Sequence, residues 1–81
     1  MSNIVAGRQL RAARILAGLT QKELAKAVGV HERAERYWES KGDEAPTSTL
    51  HLLEKTEAVL RENGVIVFAT PTAGVRFVNC R

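Results

Sequence analysis

The sequence predicts a mainly α domain followed by a C-terminal β-hairpin. Three observations carry that reading. A capping signature at Thr20 and a glycine at Gly29 bracket a short amphipathic helix, with a second helical stretch directly after it. Apolar residues recur at helical spacing in two flanking segments, 4–17 and 47–63. At Val65 the pattern changes to a β-rich apolar run, a turn and a second run.

Residues 1–3 are expected to be loose, with Ser2 or Asn3 able to cap the first helix. That helix is expected from about Ile4 to Ala17, with Ile4, Leu10, Ala13 and Ala17 on its inner face and Gly18 as its stop. Arg8, Arg11 and Arg14 recur every three residues. They form either a solvated basic face or, for Arg8 and Arg11, positive charge near a phosphate backbone. Arg14, at the end of the helix, can pair with Glu39.

The centre of the chain is residues 20–41. Thr20 and Glu23 have the S/T-x-x-E spacing in which each side chain satisfies a first-turn N–H. Leu24, Ala25 and Val28 then share one face, with Lys22 and Lys26 opposite, until Gly29 supplies the positive φ of a helix stop. A second helix is expected from His31 to about Lys41, with Ala34 and Trp38 inward. Glu32, Arg33, Arg36 and Tyr37 point outward, and such groups can reach base edges and phosphates in a major groove.

Gly42 to Pro46 reads as a loop, because it combines a glycine, two acids and a proline. Thr47 or Ser48 is expected to cap the next helix, whose stripe of Leu50, Leu53, Glu57 or Ala58, and Leu60 runs to Asn63-Gly64. Leu50, Leu53 and Leu60 are expected in the core and His51 in solvent. Val65 to Ala69 and Val75 to Val78 are the hairpin strands, joined by the turn Thr70 to Gly74. A lone hairpin is marginal in water. Its cover is expected to be the same hairpin of a second chain, through Val65, Ile66, Val67, Phe68, Val75 and Phe77. The alternative is that it folds back onto its own helices. The expected organisation is therefore a DNA-binding unit over 1–64 and a dimerising hairpin over 65–81.

Composition narrows the function. An 81-residue chain buries only about 60% of its extended surface, so its stability is marginal and a partner subunit helps. Twelve Lys and Arg against nine Asp and Glu give a net charge of +3, a balance that permits polyanion binding. No 18-residue apolar run and no signal-peptide pattern occurs, so a membrane span and secretion are not expected and the cytoplasm is. The one cysteine, Cys80, has no partner for an internal disulfide and is expected to be an unremarkable thiol, the alternative being an intersubunit bridge. His31 and His51 lack a carboxylate or cysteine cluster at metal spacing, and no nucleophilic motif assembles. No enzyme activity, metal or cofactor is expected.

Residues 10–60 resemble the lambda-repressor-like (Cro/CI, Xre) helix-turn-helix family. The resemblance lies in Leu10, Arg14, Gly18-Leu19-Thr20-Gln21, Glu23-Leu24-Ala25, Val28-Gly29-Val30, Trp38-Glu39 and Pro46. It implies a bundle of four or five helices. Gln21 would bond a phosphate or brace the reading residues; Glu32, Arg33 and Tyr37 would face bases, with Arg36 beside them. Arg14 and Glu39 would form a buried ion pair tying the first helix to the recognition helix. Helix N-terminal ends, Thr20 included, and the loop from Ser40 and Lys41 to Asp43 would meet the backbone. The stop Asn63-Gly64-Val65 and the segment Gly74-Val75-Arg76 resemble small bacterial members carrying a hairpin after the fourth helix. Three positions depart from the family. Glu35 stands where a buried Ile or Val is usual, which calls for a side chain reaching solvent or a rotated recognition helix. Glu32 replaces a Gln or Arg, and Lys41-Gly42 inverts the usual Gly-Lys order.

The function expected from the residues and the resemblance together is sequence-specific, dimeric DNA binding. A palindromic operator with half-sites about one helical turn apart is expected. Repression, including of the protein's own operon, is expected over activation, since a chain of this size blocks polymerase most simply by occupying a promoter. The alternative is a protein-interaction module, an antitoxin or antiactivator that acts on a protein partner.

Overall fold

The computed structural model describes residues 2–46, 48–70 and 72–77. The cap expected at Thr47, Pro71 of the hairpin turn, Val78 and Cys80 therefore lie outside the described residues. Four helices and a hairpin succeed one another in order: α1 (Gly7–Ala17), α2 (Gln21–Val28), α3 (Glu32–Glu39), α4 (Leu50–Glu62), β1 (Val65–Phe68) and β2 (Gly74–Phe77).

The first helix begins three residues later than its apolar spacing suggests. Ala6 is extended, and neither Ser2 nor Asn3 caps the helix. The first-turn N–H groups are taken from a distance instead: Gly7 N donates to Glu44 O at 2.9 Å and Arg8 N to Gly42 O at 2.8 Å. Residues 2–6 form an extended arm that buries Ile4. Asn3 is not loose, since its N and Nδ2 donate to the Glu57 carboxylate at 2.7 and 3.2 Å. Gly7 permits the close approach of the start of α1 to the end of α3, because a Cβ there would lie 2.5 Å from the Trp38 carbonyl oxygen.

The helix-turn-helix forms as its local chemistry dictates. Thr20 Oγ1 accepts from Glu23 N and Thr20 N donates to Glu23 Oε1, so both halves of the capping box are present. Gly29 closes α2 with φ 93°. His31 caps α3 by accepting from Arg33 N through Nδ1 at 3.0 Å. The helix ends at Glu39, two residues short of the expected Lys41.

The cap of α4 is Thr49, not Ser48, with its hydroxyl accepting from Leu52 N. Burial starts one turn into the helix, at Leu53, so Leu50 at the first position is half exposed rather than in the core. Thr56 and Val59 occupy the inner face with Leu53 and Leu60, in place of the expected Glu57 or Ala58. The buried Thr56 hydroxyl is satisfied by donating to Leu52 O at 2.8 Å.

β1 and β2 pair antiparallel, Val65 opposite Phe77 and Val67 opposite Val75. The hairpin folds back onto its own helices: β1 packs on α1 and α4, and β2 on α1. Val65 and Val67 join Leu10, Ala13, Leu24, Val28, Trp38 and Leu60 in one core. That is a correction, since burial inside their own chain removes these two valines from a surface offered to another. The buried Gln9 fastens the hairpin, its Nε2 donating to Phe68 O at 2.8 Å and Gly74 O at 3.2 Å. No helix among the described residues is long and apolar enough to cross a membrane.

Candidate nucleic-acid interface

The interface is built on Glu39, at the end of α3. Its carboxylate accepts from Arg14 Nε at 2.7 Å and Nη2 at 3.2 Å, and from Gln21 Nε2 at 3.1 Å. Arg14 Nη1 also donates to Leu19 O at 2.9 Å, on the turn between α1 and α2. One buried carboxylate thus ties together the end of α1, the start of α2 and the end of α3. Burial pushes the Glu39 carboxyl up, but the neighbouring Glu35 carboxyl, hydrogen bonds from Arg14 and Gln21 and the Arg14 charge outweigh it and hold it below the ordinary 4.5. Its worth is mostly geometric, because desolvation offsets much of a buried pair's attraction. Gln21 thereby joins the start of α2 to the Arg14–Glu39 pair.

Glu35 is the residue whose environment sequence spacing did not reveal. It does not reach solvent. It is fully buried, at 0% exposure, with Trp38 and Glu39 completing a regular inward stripe. Neither carboxylate oxygen meets a hydrogen-bond donor among the described residues. Burial, together with the neighbouring Glu39 carboxylate and against the charge of Arg14, raises the Glu35 carboxyl from 4.5 to about 9. An acid at a helix position reserved for apolar residues was the available signal, but its protonation state depends on neighbours from other helices.

With that stripe inward, Arg33, Arg36 and Tyr37 are exposed on the opposite side of α3, and Glu32 is partly exposed. Arg36 Nη2 and Glu32 Oε2 pair at 2.9 Å one turn apart, so these two charges largely cancel on the free surface. Arg33 makes no ion pair among the described residues, and with His31, Ala34 and Tyr37 it lines an open, mostly apolar groove of about 450 Å³. The Lys41 ammonium sits 4.6 Å from the centroid of the Tyr37 ring.

A second groove, of about 380 Å³, runs beside α3 and is lined by Arg11, Arg14, Gln21, Arg36, Glu39 and Ser40. It gathers three of the residues expected at phosphates, Gln21, Arg11 and Ser40. Arg11 is exposed and makes no ion pair among the described residues, whereas Arg8 pairs with Asp43 at 2.8 Å. Thr20 and Lys41 do not line this groove. Ser40 Oγ already donates to Tyr37 O at 2.6 Å, and Thr20 is engaged by Glu23. A phosphate contact from Ser40 therefore requires its hydroxyl to turn away from that carbonyl.

Comparison with curated proteins finds no match to the chain. A family model described as helix-turn-helix matches residues 10–56, a span that takes in α2, the Gly29 turn, α3 and the Arg14–Glu39 tie. With this match over more than half its length, the chain belongs to the lambda-repressor-like (Cro/CI, Xre) helix-turn-helix family of DNA-binding regulators.

Proposed function

We propose that the protein is a sequence-specific, dimeric repressor that reads a palindromic operator with the outer face of α3. The observation that carries this reading is the placement of Arg33 and Tyr37, exposed on a helix whose opposite side is pinned by the Arg14–Glu39 tie. Such pinning fixes side-chain direction, which base readout needs. Arg33 supplies the bidentate donor suited to guanine, and Tyr37, Arg36 and Glu32 flank it. Arg11, Gln21 and Ser40 beside the second groove take the phosphate backbone, with Lys41 and Thr20 at its margins.

Two copies join through the hairpin, by Ile66 and Phe68 on the face turned away from the core, with Phe77 exposed at the end of β2. Phe77 supports this because it is 53% exposed despite its size. The pairing sets the distance between two recognition helices, and occupation of a promoter excludes polymerase. Selection of bound duplexes from a random pool, with the molar mass measured in solution, tests the reading. The expected outcome is a palindrome with half-sites about one helical turn apart and the mass of a dimer. A monomer that selects no palindrome overturns it.

A further inference from the structure

The core of α3 holds an acid that neither base reading nor the Arg14–Glu39 tie explains. Glu35 is 0% exposed, and both its oxygens lack a donor among the described residues. The polar group beside it is a second carboxylate, Glu39, whose side chain is 3% exposed and already receives Arg14 and Gln21. Two adjacent buried anions against one guanidinium leave a net negative charge in the core. A single proton removes that charge and turns Glu35 into a donor facing an acceptor.

We propose that Glu35 is held as a neutral carboxylic acid whose proton is donated to Glu39, so that seating the recognition helix takes up a proton and operator binding weakens as solution becomes alkaline. The operator half rests on the reading of α3 as a recognition helix; the proton half rests on the cluster alone. The elements packed against α3 are α1 and α2. From α1 the charge acting on Glu35 is Arg14, which favours ionisation, and from its own helix it is Glu39, which opposes it. The side chain that α2 brings to the cluster is the neutral Gln21. Arg8 and Arg11 of α1, and Lys22, Glu23 and Lys26 of α2, are exposed.

The sign is set by where the proton sits in each state. Unfolded, Glu35 ionises at the ordinary 4.5; folded, it keeps its proton to about 9. Its contribution to stability is full below the ordinary value, declines as pH rises between the two, and is lost above the folded value. Within that window the unfolding equilibrium constant grows about tenfold per pH unit. Neutral pH lies inside the window, so a domain of marginal stability feels it.

Thermal unfolding of the full chain from about pH 6 to about pH 9 tests the proton half, on wild type, Glu35→Gln and Glu35→Leu. Glu35→Gln keeps the size and an N–H for Glu39 but cannot ionise. The wild-type midpoint should fall steadily with pH, while both variants give flatter profiles and overtake it at the alkaline end. In wild type alone, the carbon-13 shift of the Glu35 carboxyl should titrate several units above an ordinary glutamate, a readout independent of whether the variants fold. A Glu35 signal titrating in the ordinary range, or equal pH slopes in wild type and Glu35→Gln, overturns the proposal. Affinity for the selected duplex should drop across the same range in wild type and not in Glu35→Gln. Proton-linked stability without specific duplex binding at any pH would instead overturn the operator half and the DNA reading, leaving the proton assignment supported.

Discussion

Arg14 and Glu39, 25 residues apart in sequence, meet through two hydrogen bonds, Nε to Oε2 at 2.7 Å and Nη2 to Oε1 at 3.2 Å. The contact ties the end of α1 to the end of α3. Removing one partner leaves the other charge desolvated. Arg14→Met or Glu39→Leu alone is therefore expected to destabilise by about 3 kcal/mol or more. The double change Arg14→Met with Glu39→Leu should cost clearly less than the sum of the two singles. Denaturant unfolding of the four proteins checks it; additive losses would show that the pair is not coupled. Because Glu39 is held below the ordinary carboxylate value, its contribution is present above that value and declines as pH falls through the lowered one.

Gly7 tests whether the start of α1 is packed against the end of α3 as tightly as the structure shows. An added Cβ meets three backbone atoms, Trp38 O at 2.5 Å, Glu39 O at 3.0 Å and Gly42 N at 3.0 Å, none of which can rotate away. Gly7→Ala should destabilise by about 1 to 3 kcal/mol, although alanine is the better helix former. A thermal midpoint at or above wild type would show that the start of α1 adjusts freely.

Arg33 and Arg11 should separate base reading from phosphate contact. Arg33→Ala is expected to cost about 1 to 3 kcal/mol on the best selected duplex and far less on random DNA. An equal loss on both would reassign it to the backbone. Arg11→Ala should weaken binding to all duplexes alike and reduce the slope of log affinity against log salt by about one unit. An unchanged slope would remove Arg11 from the phosphate set.

Phe77 is the residue on which the hairpin dimer stands or falls. Its ring is 53% exposed, so Phe77→Lys should leave the monomer fold within about 0.5 kcal/mol of wild type. It should nonetheless shift the solution mass from dimer to monomer and lower affinity for a two-half-site duplex. An unchanged mass would place the dimer contact elsewhere.

Elements whose bonds close within about four residues are legible in the chain alone. The Thr20–Glu23 capping box, the Gly18 and Gly29 stops and the α2–turn–α3 unit all belong to this class. So does the order of strands in the hairpin, because a change of apolar period is a local signal. The Arg14–Glu39 tie is legible through opposite charge at helix ends together with the family resemblance. Packing settles whatever distant neighbours control. The start of α1 moves from Ile4 to Gly7 because carbonyls of Gly42 and Glu44 take its first N–H groups. Leu50 stays half exposed while Thr56 is buried, because a hydroxyl that donates to its own helix can be buried without loss. Val65 and Val67 go to the chain's own core once α1 and α4 cover that face of the hairpin. Glu35 is the sharpest case: the family resemblance marks its position as ordinarily apolar, but whether a carboxyl there is buried and carries a charge depends on desolvation and on Glu39 and Arg14, which only the packed helices bring together.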